Sequence, residues 1–387
     1  MPWVLSHDRV PRMWKSRRFI LLLLLPGLLA VVCWWLLPWC VSLPAALSQP
    51  MTSSLAFMAS DGTPLRQLLT AEGERVVQTP DYKALPALLI SATLAAEDHR
   101  FGSHGGVDLL AVARAARDNL SSGRIVSGAS TIHQQLIKVA ARQPGKRTFG
   151  VKVTEALMAR RLQMTWPSER VLLEYLNRIS YGNLFTGCTA AASGYFNKPL
   201  ADLTAAECAL LAAIPQSPRR FNPFKNLENI RPRQQRILLA MQRHGWLTAE
   251  QLQVALSQPL VIQRFSGGFA APHAVEMLRS QMPPNAGKTL LTTLDAGLQR
   301  QVETITTARL AALKDRHVSH AAAVVIENRT GHLLALAGSR DFFATDGGQI
   351  NGAWAAHSPG SAIKPFTYQL AFERGATPAS IVAARWS

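Results

Sequence analysis

Hydrophobic spacing divides the chain into stretches of different character. Residues 1–18 are polar and basic, with Arg9, Arg12, Lys15, Arg17 and Arg18 against Asp8. Phe19 to Val41 is then 23 residues without a charge. At about 1.5 Å per residue a helix of that length reaches roughly 34 Å, enough for a bilayer core of about 30 Å. No Lys or Arg follows until Arg66, so the charge bias sets residues 1–18 in the cytoplasm and the rest outside. Trp34, Trp35 and Trp39 at the outer end suit an interfacial belt. A cleaved signal peptide is the alternative, but its apolar core usually runs about 7–15 residues; the expectation is a retained signal anchor over 19–41. Pro44 and Pro50 punctuate a stem. Runs at Ser54–Ser60 and Thr63–Leu69 flank Asp61-Gly62, the signature of a hairpin, giving a stem/hairpin over 42–70.

From Pro86 the period changes to that of helices. Predicted segments are Pro86–His99, Val107–Leu120, Ser130–Arg142, Val151–Met164 and Ser168–Ser180, and capping boxes at Thr204/Glu207 and Thr248/Gln251 open two more. Residues 71–257 therefore read as one mainly α domain. Pro259, Gly267, Gly268, Pro272, Pro283 and Pro284 mark a linker over 258–285. Lys288–Leu294, Ala321–Glu327 and Gly331–Gly338 then read as strands, with Leu298–Leu313 helical between them, so 286–387 reads as the start of an α+β domain.

Composition narrows the partners. The 387 residues carry a formal charge of +17, with 48% hydrophobic and 17% charged residues, which excludes a disordered chain and favours anionic partners. Nucleic acid drops out once the anchor carries those charges outside the cell; anionic lipid head groups and diphosphates remain. Of four cysteines, Cys33 and Cys40 lie in the apolar run and Cys188 and Cys208 in Ala-rich helical pattern. Their spacing fits no zinc site. Free buried thiols are the default, with a Cys188–Cys208 disulfide the alternative.

Chemistry concentrates between Glu97 and Glu155. From Gly128 to Gln163 there are seven Lys and Arg residues and one acid, Glu155. Glu97 closes an apolar helix, where desolvation raises a carboxyl pKa toward that of a general base. Ser130 and Thr131 offer hydroxyls and free N–H groups at a helix start, a seat for an anion. Lys138 and Lys152 can neutralise a diphosphate, and Glu155 can hold a divalent metal (Mg or Mn) on it or assist proton transfer. Taken singly, Glu97-Asp98 reads equally well as a solvated helix end and Gln134-Gln135 as surface amides.

The ordered set resembles the peptidoglycan glycosyltransferases. Its members are Glu97-Asp98-x-x-Phe101-x-x-His104-x-Gly106, Gly128-x-Ser130-Thr131-Ile132-x-Gln134-Gln135-Leu136-x-Lys138, and Lys152-x-x-Glu155. They continue with Leu172-Leu173-Glu174-Tyr175-Leu176-Asn177 followed by Tyr181-Gly182 and Tyr195-Phe196-Asn197-Lys198, and with Arg233-Gln-Gln-Arg236-Ile-Leu238. The resemblance implies a lysozyme-like helical fold that polymerises lipid II into β-1,4 glycan strands, releasing the lipid diphosphate. It implies Glu97 as the base on the acceptor 4-hydroxyl and Glu155 as the second essential carboxylate. Asp98, Phe101, His104, Ser130, Thr131, Gln134, Gln135, Lys138, Lys152 and Asn177 are the implied substrate contacts. Val139 and Val151 stand where the family usually has Asn and Arg, which weakens the implied diphosphate grip. Further on, Pro359-Gly360-Ser361-Ala-Ile-Lys364-Pro365-Phe366 resembles the nucleophile motif of the penicillin-binding transpeptidases, Ser361 being the nucleophile and Lys364 its base. The Ser-x-Asn and Lys-Thr-Gly motifs do not follow it within the 387 residues, so the expectation is a partial transpeptidase domain without crosslinking activity. The whole is similar to a class A penicillin-binding protein. That implies single-pass anchoring in the bacterial inner membrane, with lipid II, the growing glycan strand and other cell-wall synthesis proteins as partners. A lysozyme-like hydrolase and a non-catalytic scaffold are the competing readings.

Overall fold

The computed structural model describes residues 27–29, 31–123, 128–141, 148–263, 269–282 and 289–381. The expected span over 19–41 falls partly on residues 19–26 and 30, outside the described residues. Among the described residues no helix is long and apolar enough to cross a membrane. The chain divides into two units, Met1–Ala56 with Gln67–Gly267 and Phe57–Arg66 with Gly268–Ser387.

The first unit is built on helices α1 (Ala87–Glu97), α2 (Leu109–Ser122), α3 (Ile132–Ala141), α4 (Phe149–Thr165), α5 (Ser168–Arg178), α6 (Cys188–Phe196), α7 (Ala205–Ala213), α8 (Leu227–Arg243) and α9 (Ala249–Ser257). Helix α7 is its axis. Thr204 and Glu207 form the expected capping box, and every residue from Ala206 to Ala213 is buried, as a helix apolar on all sides requires. Helices α1 and α8 pack on α7, and α3 packs between α4 and α5. The expectations for α1 to α5 agree with these helices to within two residues or so at most ends, the scatter that fraying allows. Helix α8 carries Pro232 in its interior, and a proline in such a run argues against a helix when only the sequence is seen. Short strands β3 (Arg75–Val76) and β4 (Phe185–Thr186) pair in parallel. Cys188 and Cys208 are free thiols in the core, and burial pushes them up to about 11 and about 12 respectively.

Asn177, expected among the substrate contacts, has another role. It is 5% exposed; its Oδ1 accepts from the Thr79 N–H at 2.8 Å and its Nδ2 donates to the Thr79 carbonyl at 3.0 Å. Its amide thus replaces a strand partner for a buried backbone segment. This corrects its assignment as a substrate contact.

In the second unit the hairpin at Asp61-Gly62 is present as β1 (Ala56–Met58) and β2 (Pro64–Gln67), and β1 also pairs with β5 (Thr289–Leu291) in a three-stranded sheet. The hairpin thus belongs with residues more than two hundred positions later, not with a stem. Helix α10 (Pro272–Gln281) replaces part of the expected linker. Pro272 sits at its first turn, where a missing N–H costs nothing. Helix α11 (Ala296–Ala312) packs on β7 (Leu333–Ala337), which is antiparallel to β6 (Ala323–Ile326). The Gln299 side chain donates to Leu336 O at 2.9 Å and accepts from Leu336 N at 2.8 Å. Ser361 lies in a 3₁₀ turn, Gly360–Ile363, and Lys364 opens α12 (Lys364–Glu373); both side chains are exposed.

Because Asn177 satisfies two buried backbone groups, Asn177→Ala is expected to destabilise the first unit by roughly 2–4 kcal/mol, read by urea denaturation followed by far-ultraviolet circular dichroism.

Candidate active site

The site forms where α1 ends. Glu97 is its last residue and Asp98 its cap, with φ −163° and ψ 72°, so the two neighbouring carboxylates leave the helix in different directions. Asp98 turns inward. It is 7% exposed, takes His104 Nε2 at 2.9 and 3.0 Å on its two oxygens, and accepts the Ile132 N–H at 3.0 Å. That N–H belongs to the first turn of α3, where a carboxylate is favoured by the orphan donors and the helix dipole. Asp98 therefore ties the 97–106 loop to the start of α3.

Glu97 faces the other way, its side chain 12% exposed. Gln135 Nε2 donates to Oε2 at 2.8 Å, and Arg233 of α8 reaches Oε1 at 3.2 Å. Burial raises its pKa; the Gln135 bond and the Arg233 charge pull it back without cancelling the rise. The Tyr175 hydroxyl donates to Gln135 Oε1 at 3.2 Å, which orients the amide so that its N–H₂ points at Glu97. Arg233 is steadied by a bond to Ala213 O at 3.2 Å at the end of α7. One carboxylate is thus held by side chains from α3 and α8, with α5 behind it.

The remaining predicted residues divide into supports and exposed groups. Thr131 Oγ1 donates to Gly106 O at 2.7 Å and accepts from Gln134 N at 3.2 Å, while Gln134 Oε1 accepts from Thr131 N at 3.0 Å. Thr131 and Gln134 therefore form the reciprocal cap of α3. Phe101 is buried and stacks on His133 at 4.9 Å between centroids. His133 is 1% exposed, neither ring nitrogen has a partner among the described residues, and its pKa is pushed down to about 4 by burial and then by His104. It is packed as a neutral ring. Ser130, Lys138 and Lys152 are exposed and Glu155 is half-buried; Lys152 and Glu155 lie on α4, Lys138 on α3. Among the described residues no group of three or more His, Cys, Asp and Glu side chains could hold a metal.

Sequence reasoning missed the roles of Arg233, Tyr175 and His133. Arg233 and Tyr175 lie inside quoted motifs, but their contact with the Glu97 site spans 136 and 40 residues of sequence, through Glu97 and Gln135 respectively, and spacing along the chain carries no sign of that. Val139 lines a cleft of about 390 Å³ with, among others, Gln49, Glu72, Glu74 and Arg178. Val151 sits in the first turn of α4, its N–H on the Thr148 cap.

Comparison with known proteins gives two family matches. Residues 61–242 match the model described as transglycosylase, and residues 321–387 match the penicillin binding protein transpeptidase domain. The chain is 31% identical over 332 residues to penicillin-binding protein 1C of Escherichia coli, covering 84% of this chain and 41% of that one. It is 31% identical over 350 residues to penicillin-binding protein 2D of Bacillus subtilis, covering 87% and 49%. With penicillin-binding protein 1A of Neisseria flavescens the identity is 34% over 283 residues, covering 71% and 35%. The chain spans less than half the length of each of these relatives.

The raised pKa of Glu97 has a stability consequence with a definite sign. A carboxyl whose folded pKa lies above its unfolded value favours the fold below the unfolded pKa and loses that contribution as pH rises through the folded pKa. At pH 7.5 the desolvated Glu97 carboxyl is therefore a cost. Glu97→Gln is expected to melt a few degrees above the wild type at pH 7.5, with the gap closing as pH falls toward 4, read by differential scanning calorimetry.

Proposed function

Because this chain belongs to the class A penicillin-binding proteins, with a transglycosylase domain at residues 61–242 and a penicillin-binding transpeptidase region at 321–387, we propose that its Glu97 site is a peptidoglycan glycosyltransferase. The reaction joins lipid II units into β-1,4 glycan strands in cell-wall synthesis and releases the lipid diphosphate. The observation that carries this reading is the half-buried carboxylate of Glu97 at the end of α1, raised in pKa and held by Gln135 and Arg233. A base must be ionised yet willing to take a proton, and partial desolvation against a nearby cation gives that balance.

The mechanism we infer has Glu97 accept the proton of the acceptor sugar's 4-hydroxyl as that oxygen attacks the donor's anomeric carbon. The bond from that carbon to the diphosphate oxygen breaks, and the anomeric centre inverts. Lys138 and Lys152 take up the charge on the departing diphosphate, with Glu155 on that side. Among the described residues no cluster of ligands surrounds Glu155, so its carboxylate would suit a divalent metal that arrives with the phosphates, and such an ion would supply further charge neutralisation. Residues 19–41 are proposed to anchor the chain in the inner membrane with the N-terminus cytoplasmic, which brings the site to a substrate confined to the bilayer, alongside other cell-wall synthesis proteins. A non-catalytic scaffold is the second reading, favoured by Val151 in the first turn of α4, where an added cation would strengthen the grip on diphosphate.

The test is the purified chain with lipid II and a divalent metal, products separated by gel. Wild type is expected to give glycan polymer, and Glu97→Gln to lose about 10²–10⁴-fold in rate. The acid limb of the wild-type pH profile is expected above the usual glutamate range. Polymer from both proteins at similar rates, or from neither, would overturn the role given to Glu97. Val139→Asn is expected to lower KM for lipid II with kcat little changed, read in the same assay.

A further inference from the structure

Arg160 is the least expected buried charge in the first unit. It lies on α4, five residues and about 7.5 Å of rise beyond Glu155, and is 6% exposed. Its Nη1 donates to the Gly105 carbonyl at 3.2 Å and to Gln163 Oε1 at 3.1 Å. Its Nε has no partner among the described residues. What covers the guanidinium instead is a pair of indoles, Trp34 at 5.2 Å and Trp35 at 4.7 Å from their centroids, a cation–π arrangement that strengthens on desolvation. The next residue repeats the pattern: Arg161 donates to the Val41 carbonyl and lies 5.5 Å over Trp39.

The loop beneath Arg160 has no room to move. A Cβ on Gly105 would come within 2.2 Å of Arg160 Nη1, and one on Gly106 within 2.5 Å of the Ala159 carbonyl; Gly106 also has φ +87°. Loop and helix are in backbone contact. From Gly105 the chain of contacts runs to His104, to Asp98 through the ring nitrogen, and so to the start of α3 and its Gln135 on Glu97.

We propose that Arg160 is a positioning residue that couples the tryptophan segment entering the domain to the loop carrying Glu97, and so sets that loop against the helix carrying Glu155. The segment 34–41 is the outer end of the proposed anchor, so the seating of the anchor bears on the geometry of the reaction. This deepens the glycosyl-transfer reading and rests on it. The charge is suited to the task because a buried guanidinium with one free N–H is held only while both its acceptors and its aromatic cover are in place.

Three variants of the full chain in detergent micelles test this: Arg160→Met, Arg160→Lys, and the double variant Trp34→Leu with Trp35→Leu. Each is measured for kcat and KM with lipid II, and for hydrogen–deuterium exchange in peptides covering 102–107. Arg160→Met and the tryptophan variant are expected to lose at least about tenfold in kcat with KM within about twofold, and to exchange faster at 102–107. Arg160→Lys, which keeps a cation over the indoles and one donor to Gly105, is expected to remain within about threefold of wild type in kcat. Wild-type kcat in Arg160→Met, a change confined to KM, or unchanged exchange at 102–107 would overturn the proposal. If the wild type makes no polymer, the glycosyl-transfer reading fails, and the exchange data decide the coupling alone. If Arg160→Met does not fold, the tryptophan variant decides it by the same two readouts.

Discussion

The arrangement at the end of α1 depends on the hydrogen bonds of one carboxylate. Asp98 accepts from His104 and from the first turn of α3, where the chain leaves the helix with non-helical φ −163° and ψ 72° at that residue. Two acids adjacent in sequence are thereby given opposite environments. Asp98 is satisfied by donors and acts as a fastener. Glu97 instead accepts from the side chains of Gln135 and Arg233. Moving Asp98 would release the loop and the helix that hold Glu97 together, since Thr131 and Gly106 meet in the same place.

Glu97 is held between two opposing costs. Burial raises its pKa, while the Gln135 bond and the Arg233 charge pull it back. The observed balance requires α8 to deliver a cation to a carboxylate 136 residues earlier, and α7, buried throughout, is the rigid spacer between them. The apolar core of this unit has a chemical role: it excludes enough water for the carboxyl to be shifted and fixes where the compensating charge stands.

Much of this was legible in the sequence, and the exceptions have physical reasons. Helix periods located α3 and α5 through one strongly apolar face each and α1 through an apolar run, and the motifs put Glu97 and Gln135 in one expected site. What could not be read was the distinction between residues that form a site and residues that build it. Thr131 and Asn177 are polar residues in motifs, and only their partners show that each spends its side-chain hydrogen bonds on backbone. Arg160 lay within a cation run read collectively as a phosphate grip, and its burial under two indoles sets it apart. Helix α10 was hidden by a proline that in fact begins it.

The hairpin of β1 and β2 has a consequence for how the chain is made. Its partner β5 lies about 230 residues further on. At a synthesis rate of about 5–20 residues per second, β1 emerges on the order of 10–50 s before β5 exists. For that interval the first unit can assemble from its own local helices, while β1 presents an unpaired edge open to any other strand. Two strands joined by a tight turn are marginal in water by themselves, so the early hairpin is the stretch of this protein with the longest exposure to misassembly. A chaperone that shields strand edges during synthesis would act first on residues 56–67.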